Sequence, residues 1–522
     1  MPPFRSLGAG AGALGATAVL ALAPIPASAA VTPVPDGPGR GLVPAYVGGP
    51  AKPNPLPGRP VPANPFMGPV GMSSMHADSY ASDTYPFPGP LGKRPVVRSA
   101  AKGGGLLPGL CSTVTFSKRT GLILAQCTRG QNFTLRLIDP KTLDDLATFQ
   151  LPPRPSTVQA VVSGNLDKVL TDTSGGAYYY LDAQDRIVIA DAAHHVRRFA
   201  HGKDAKGKWR FTVTDDWDLN PYVPHACASW TNPWPKGECD PVTGVGPDWT
   251  GLIWWATDHG RVGTIDPRTG AVRTLRLPAG EEVENSFAAA ENGVSIVSDH
   301  ALYQLRAASD GTPKIVWRTP YDRGTARKSG QINQGSGTTP TFLGDRYVAI
   351  TDNADDRMHV LVLRRDTGKV VCRVPVFGHS RSSTENSLIG YGNSLFVENN
   401  YGYKNFLELP PGGSSVGGVS RVDVTASGCR TVWTSPERSP STVAKVSVPS
   451  GLLYLYTKKP RKDLIDAWYL TAVDVQTGKT VYKVLTGTGK WFDNDWAPIT
   501  VGPDRTVYVG VLGGIVSVRD GS

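Results

Sequence analysis

The sequence predicts an all-β fold: a β-propeller of four-stranded antiparallel blades, eight in number, with seven as the alternative. Three observations carry this. One turn, Asp-x-x-Thr-Gly, recurs between β-rich segments: in full at residues 266–270 and 474–478, shortened at 366–368, and without its glycine at 139–142. Apolar residues alternate with period two in short runs bounded by Gly, Pro, Asn and Asp, and no window sustains a 3.6-residue period. Setting aside about 105 N-terminal residues leaves 522 − 105 = 417, enough for about eight blades at roughly 40–50 residues each.

The blades follow in chain order. The first spans 109–153 and the second about 174–217, through the runs AYYYLD, RIVIAD and WRFTVT. The third reaches 278 through LIWWATD and the first complete turn, where Asp266 can accept backbone N–H groups and Gly270 supplies a positive φ. The fourth to seventh occupy 284–322, 335–378, 385–437 and 441–488. The eighth, 494–520, shows only three strands. Its outer strand is expected from residues 95–99, which would close the ring and remove an exposed sheet edge.

Residues 1–30 read as a signal peptide. Arg5 precedes an Ala/Leu/Gly-rich run, and small residues at 27–30 suit cleavage. The run is short and broken by Pro24 and Pro26, and no later segment approaches the roughly 20 apolar residues of a membrane span. A secreted, extracellular, monomeric protein without membrane insertion is expected. Residues 31–105 are rich in Pro and Gly and lack apolar periodicity, which predicts a linker or a loosely held arm. The alternative is a clasp lying across the folded domain, the propeller of residues 106–522.

Six cysteines fit three disulfides in an oxidising compartment. Proximity favours Cys111–Cys127 and Cys227–Cys239, leaving Cys372–Cys429 to join outer strands of adjacent sheets. No C-x-x-C pair suggests zinc or redox chemistry, and no metal site is expected. The net charge of +10 is scattered, and the one dense basic run, residues 458–462, falls in a hairpin loop. A nucleic-acid binder would show a basic stripe with interleaved aromatics, so nucleic acid is not an expected partner.

The repeated turns, each followed by a Val- or Trp-rich strand, together with Trp317 in KIVWRTP and Trp433 in RTVWTSP, resemble the pyrroloquinoline-quinone-type (quinoprotein dehydrogenase-like) β-propellers. The resemblance covers roughly residues 110–520. It implies that both tryptophans dock neighbouring blades. It also implies PQQ with Ca²⁺ as a candidate cofactor and a PQQ/Ca-dependent dehydrogenase as one function. The adjacent cysteines of quinoprotein alcohol dehydrogenases have no counterpart here.

In a propeller, residues just before each innermost strand converge at one mouth of the axial channel. Here these positions are polar: Glu284 and Asn285; Gln331, Asn333 and Gln334; Glu385 and Asn386; and Asp493, Asn494 and Asp495. Glu-Asn-Ser occurs twice, 385 − 284 = 101 residues apart, about two blades. Such a ring can bind a polar molecule or carbohydrate, or Ca²⁺ through oxygen ligands, and paired carboxyls can divide into acid and base. The alternative is that these side chains cap strand ends. The leading expectation is a ligand-binding propeller with Asn285, Asn333, Asn386, Asn494 and Asp495 in the ring. Glu385 and Glu284 would be catalytic, with His225, if the protein is a lyase, isomerase or hydrolase. A non-catalytic scaffold for protein assembly is a further alternative. Asn399 and Tyr401, two amides beside an aromatic, suit a flat polar ligand. The Asp/Asn run at 352–356 lacks the glycine and distal Glu of an EF-hand. The aromatic insert 215–249, with His225, is expected to cover the mouth. Zincin, α/β-hydrolase, P-loop and Rossmann motifs are absent from the sequence.

Overall fold

Alternating apolar residues place one row of side chains on each face of a strand. In the computed structural model, which describes residues 31–103, 109–129, 132–164 and 171–522, these strands form eight sheets, each built on four antiparallel strands. The first sheet comprises Cys111–Phe116, Ile123–Arg129, Asn132–Ile138 and Asp145–Leu151, and the last packs back against it. There the Phe116 and Tyr508 rings meet with centroids 5.5 Å apart, closing an eight-bladed β-propeller. The signal peptide expected over residues 1–30 lies outside the described residues. Among the described residues no helix is long and apolar enough to cross a membrane.

The recurring turns explain why their residue types recur. Gly270 N–H donates to Asp266 O at 2.8 Å and Gly478 N–H to Asp474 O at 2.9 Å, while Asp Oδ1 accepts from the intervening N–H groups. Gly368 and Gly478 have φ of 68° and 71°, and a Cβ on either would lie 2.6 Å from the ring of Trp317 or Trp433. Both tryptophans reach from the outer strand of one blade to the next, donating to Arg365 O at 3.0 Å and Val475 O at 3.1 Å. The turn glycine therefore serves backbone conformation and blade docking together. The degenerate turn at 139 puts Leu143 in the left-handed region instead, at φ 65°.

The outer strand of the eighth blade is Val96–Ala101, antiparallel to Gly514–Arg519, so the N-terminal segment completes the last sheet. The three disulfides pair as proximity suggests, Cys111–Cys127, Cys227–Cys239 and Cys372–Cys429, the last joining the outer strands Val370–Pro375 and Gly428–Ser435 of neighbouring blades. One α-helix among the described residues, Pro155–Ser163, departs from the all-strand reading. Pro155 opens it and Gly164, at φ 70°, ends it.

Of the two arrangements that composition leaves open for the N-terminal segment, residues 31–103 adopt the clasp. Tyr46–Gly48 pairs with the outer edge of the seventh blade, and Thr84–Tyr85 runs parallel to its innermost strand, Lys445–Ser447. Between them the chain threads the axial channel. The carbonyls of Met72, Ser73, Ser79, Tyr80, Ser82 and Asp83 accept from Phe116, Leu181, Ala289, Phe342, Gly390 and Val446, one on each of six blades. Ala77, Ala81 and Asp83 turn this plug with positive φ, and Ala77, Tyr80, Asp83 and Tyr85 are buried. Hydrogen bonding to the inward-facing strands satisfies a backbone that composition alone assigns to solvent.

Candidate functional site

The plug leaves a cavity of about 300 Å³ around the axis, lined in part by Asn285, Ile332, Glu385, Asn386 and Asp495. Glu284-Asn285 leads into Ala288–Ala290 and Glu385-Asn386 into Ile389–Tyr391, innermost strands two blades apart. The shared blade frame brings these pairs together across 100 residues: Asn285 Nδ2 donates to Glu385 Oε1 at 3.2 Å. Ile332 N donates to Glu385 Oε2 at 2.7 Å, and Asn333 Nδ2 to Glu284 Oε2 at 3.1 Å.

Among the described residues, the hydrogen-bond donors to Glu385 are a side-chain amide and a backbone N–H, both neutral. Burial pushes its carboxyl up to about 8, so it is largely protonated at neutral pH and can donate a hydrogen bond. Glu284 is raised well above the ordinary carboxyl value by burial, then by the nearby charges of Asp258 and Glu385. Asp495 is raised to about 7 by burial and by Asp493, itself raised to about 6 by burial. Tyr403 OH bonds both aspartates, at 2.9 Å to Asp493 and 3.3 Å to Asp495. Asp495 and Trp496 hold φ of 44° and 68°, a strained corner at the cavity wall.

Several lining groups were not singled out from the sequence. Tyr178 OH donates to Asn285 Oδ1 at 3.0 Å, and burial holds this phenol protonated. Arg154 donates to Asp172 O at 2.6 Å, and its guanidinium lies 4.4 Å from the centroid of Phe133. Phe406, Leu407 and Trp496 add apolar wall. The plug contributes Met75 and His76. The signal in the sequence is that residues 72–85 contain no Pro or Gly inside an otherwise Pro/Gly-rich arm.

Six expected site residues stand outside the cavity lining: Glu284, His225, Asn333, Asn399, Tyr401 and Asn494. His225 does not line the cavity: it bridges Cys239 in the stapled insert, its Nδ1 3.2 Å from Val223 O. That insert does not cover the mouth either. Trp249 packs on Tyr80, and Trp230 and Trp234 are exposed, while Phe406 and Leu407 come from the 399–418 loop. Asn399 is consumed by its own loop, donating to Arg381 O and Gly417 O at 3.0 Å and accepting from Ser383 N and Tyr401 N at 3.2 Å. Tyr401 lies outside the lining and its carbonyl accepts from Val416 N. Asn494 donates to Gly510 O at 2.7 Å and caps its blade. Asn333 stands beside the cavity, holding Glu284.

The residues present do not suit the quinone implied by the resemblance. That group is an anionic tricarboxylate, whereas Asp172, Glu385 and Asp495 line the cavity and Arg154 is the one Lys or Arg among its described lining. Carboxyls held protonated are also poor Ca²⁺ ligands. Elsewhere, Glu238, Asp240 and His259 lie close enough for a metal. Asp240 is already occupied by Thr257 Oγ1 at 2.9 Å, and by His259 N and Arg261 Nη1, each at 2.8 Å.

No family model matches the chain. An uncharacterized protein of Archaeoglobus fulgidus is 27% identical over 313 residues, covering 52% of this chain and 60% of its own length. Among solved structures, BamB from Moraxella catarrhalis is similar at TM-score 0.39 and 15% identity, over 64% of this chain and 93% of its own. A catalytically inactive variant of virginiamycin B lyase from Staphylococcus aureus, with quinupristin, is similar at TM-score 0.39 and 9% identity, over 81% and 99%.

Proposed function

We propose that this protein is a secreted propeller that holds a small polar molecule, such as a carbohydrate, in its axial cavity. The observation that carries the reading is the Glu385–Asn285 pair. A buried carboxyl contributed by one blade is held by an amide from another at the wall of a cavity, and burial outweighs the charge of Arg327 nearby. Burying a carboxyl in this way costs stability, and a ligand oxygen gives the cost a purpose. A protonated Glu385 donates to a hydroxyl, ether or carbonyl oxygen, and Asn285 and Tyr178 complete a polar corner. Phe133, Phe406 and Trp496 offer apolar faces to the rest of the ligand. Three disulfides using all six cysteines support an extracellular site of action. Raised carboxyls beside one another are also suited to acid–base turnover.

Calorimetry on protein recovered from the culture medium, with a panel of oligosaccharides and hydroxy acids, tests this. A ligand of the wild type should bind at least about tenfold more weakly to Glu385→Leu, which is similar in size but can neither donate nor accept, the loss of roughly one good hydrogen bond to a polar group. A ligand bound equally by both proteins rejects the site.

A further inference from the structure

The plug does more than close one end of the channel: it carries an imidazole to the cavity wall. His76 Nδ1 lies 3.1 and 3.2 Å from the two carboxylate oxygens of Asp83. Its ring stacks on Tyr178, centroids 6.0 Å apart at 20°. Its Nε2 is 3.2 Å from Thr339 Oγ1. Asp83 is fixed in turn by Lys445 Nζ and by Ser387 Oγ, whose hydroxyl is also 3.2 Å from His76 Nδ1. A carboxylate only accepts, so Nδ1 donates, and Nε2 is the ring nitrogen left to carry a lone pair. His76, Thr339 and Ser387 all line the cavity that Glu385 lines, and Tyr178 joins the two groups through Asn285. Lys445 brings a full positive charge to Asp83, and its pull on that carboxyl exceeds the pull of His76.

We propose that His76 is the general base of the axial cavity, its ring positioned by Asp83, and that the ligand held there gives up a proton to His76 Nε2. This rests on the ligand-binding reading above and assigns that site a reaction class, proton abstraction from a small polar molecule. The proton moves to the imidazole. The electron pair it leaves forms a new bond within the ligand, and any leaving group departs with its own pair and is protonated by Glu385 or by water.

The test uses 5-nitrobenzisoxazole, a bicyclic aromatic small enough for the cavity that needs no contact with Glu385. A base removes its carbon-bound proton, the C–H pair becomes the third bond of a nitrile, the N–O bond breaks and a coloured phenolate leaves. No oxidant or second reactant is required. Wild-type protein should catalyse this saturably, and His76→Asn should lose about 10²-fold, within the range of a positioned base. Nitrogen NMR of the wild type should find His76 protonated at Nδ1 and bare at Nε2. The charge-neutral double variant Asp83→Asn/Lys445→Met should lower kcat with little change in KM, because an amide no longer enforces that tautomer. Equal rates for wild type and His76→Asn, or the opposite tautomer, overturn the proposal. If Glu385→Gln alone removes the rate, the base is the carboxylate: this inference fails and the ligand site stands.

Discussion

Replacing Glu385 by Gln is expected to stabilise the protein at alkaline pH. The carboxyl is raised from 4.5 to about 8, chiefly by burial. The sign follows from proton counting. Below the unfolded value both states hold the proton and nothing is lost. Between about 4.5 and about 8 the unfolded chain releases it while the folded chain keeps it, so stability falls as pH rises through that window. Above it the whole penalty is present, on the order of 5 kcal/mol at about 1.4 kcal/mol per pKa unit. Gln has the same shape and no charge; its one carbonyl oxygen keeps one of the two donors, Asn285 Nδ2 or Ile332 N, that bond separate oxygens of Glu385. Urea unfolding should therefore give nearly equal midpoints for the two proteins at about pH 4 and a clearly higher midpoint for Glu385→Gln at about pH 9. A residue that destabilises its fold and binds a ligand is the usual stability–function compromise. A variant no more stable at either pH would mean that Glu385 is solvated.

The second large effect is expected at the plug. Lys445 and Asp83 are fully buried, and Lys445 Nζ bonds both Asp83 Oδ1 and Met75 O. Burial alone would raise the Asp83 carboxyl, but Lys445 and then His76 outweigh it and hold it ionised. Lys445→Met leaves that charge in the core, which costs about 3–5 kcal/mol. It also loosens the segment that bonds the inner strands of six blades. The variant should be cut by protease within residues 67–89, where the wild type resists. Asp83→Asn in the same chain should recover most of the loss, because no unpaired charge remains. A cost below about 1 kcal/mol, the size of an exposed pair, would show the plug to be wet.

The blade repeat was legible because its signals are local. The Asp-x-x-Thr-Gly turns, Trp317 and Trp433 announce contacts made within one blade or to the next. The Glu-Asn pairs at 284 and 385 were legible for a related reason, since equal positions in equal blades must face one axis. The arm defeated composition. Residues 72–85 gain their hydrogen bonds from strands 116 − 72 = 44 to 446 − 83 = 363 residues away, so neither periodicity nor propensity marks His76 or Asp83. His225 was misplaced because an aromatic insert reveals its own packing and not its direction. Asn399 and Asn494 look like ligand groups in sequence, but each donates its amide to backbone carbonyls, a use that needs coordinates to see.

The claim on which all of this depends is that carboxyls from distant blades are brought together at the axis, Glu385 in the cavity wall and Glu284 beside it. A double-mutant cycle on Glu284→Gln and Glu385→Gln, read by unfolding at about pH 9, measures it directly. Neighbouring carboxylates should show a coupling of about 0.5–3 kcal/mol, the double variant gaining less than the sum of the singles because either change already relieves their mutual repulsion. Additivity to within about 0.3 kcal/mol would place them in separate surroundings and contradict the account.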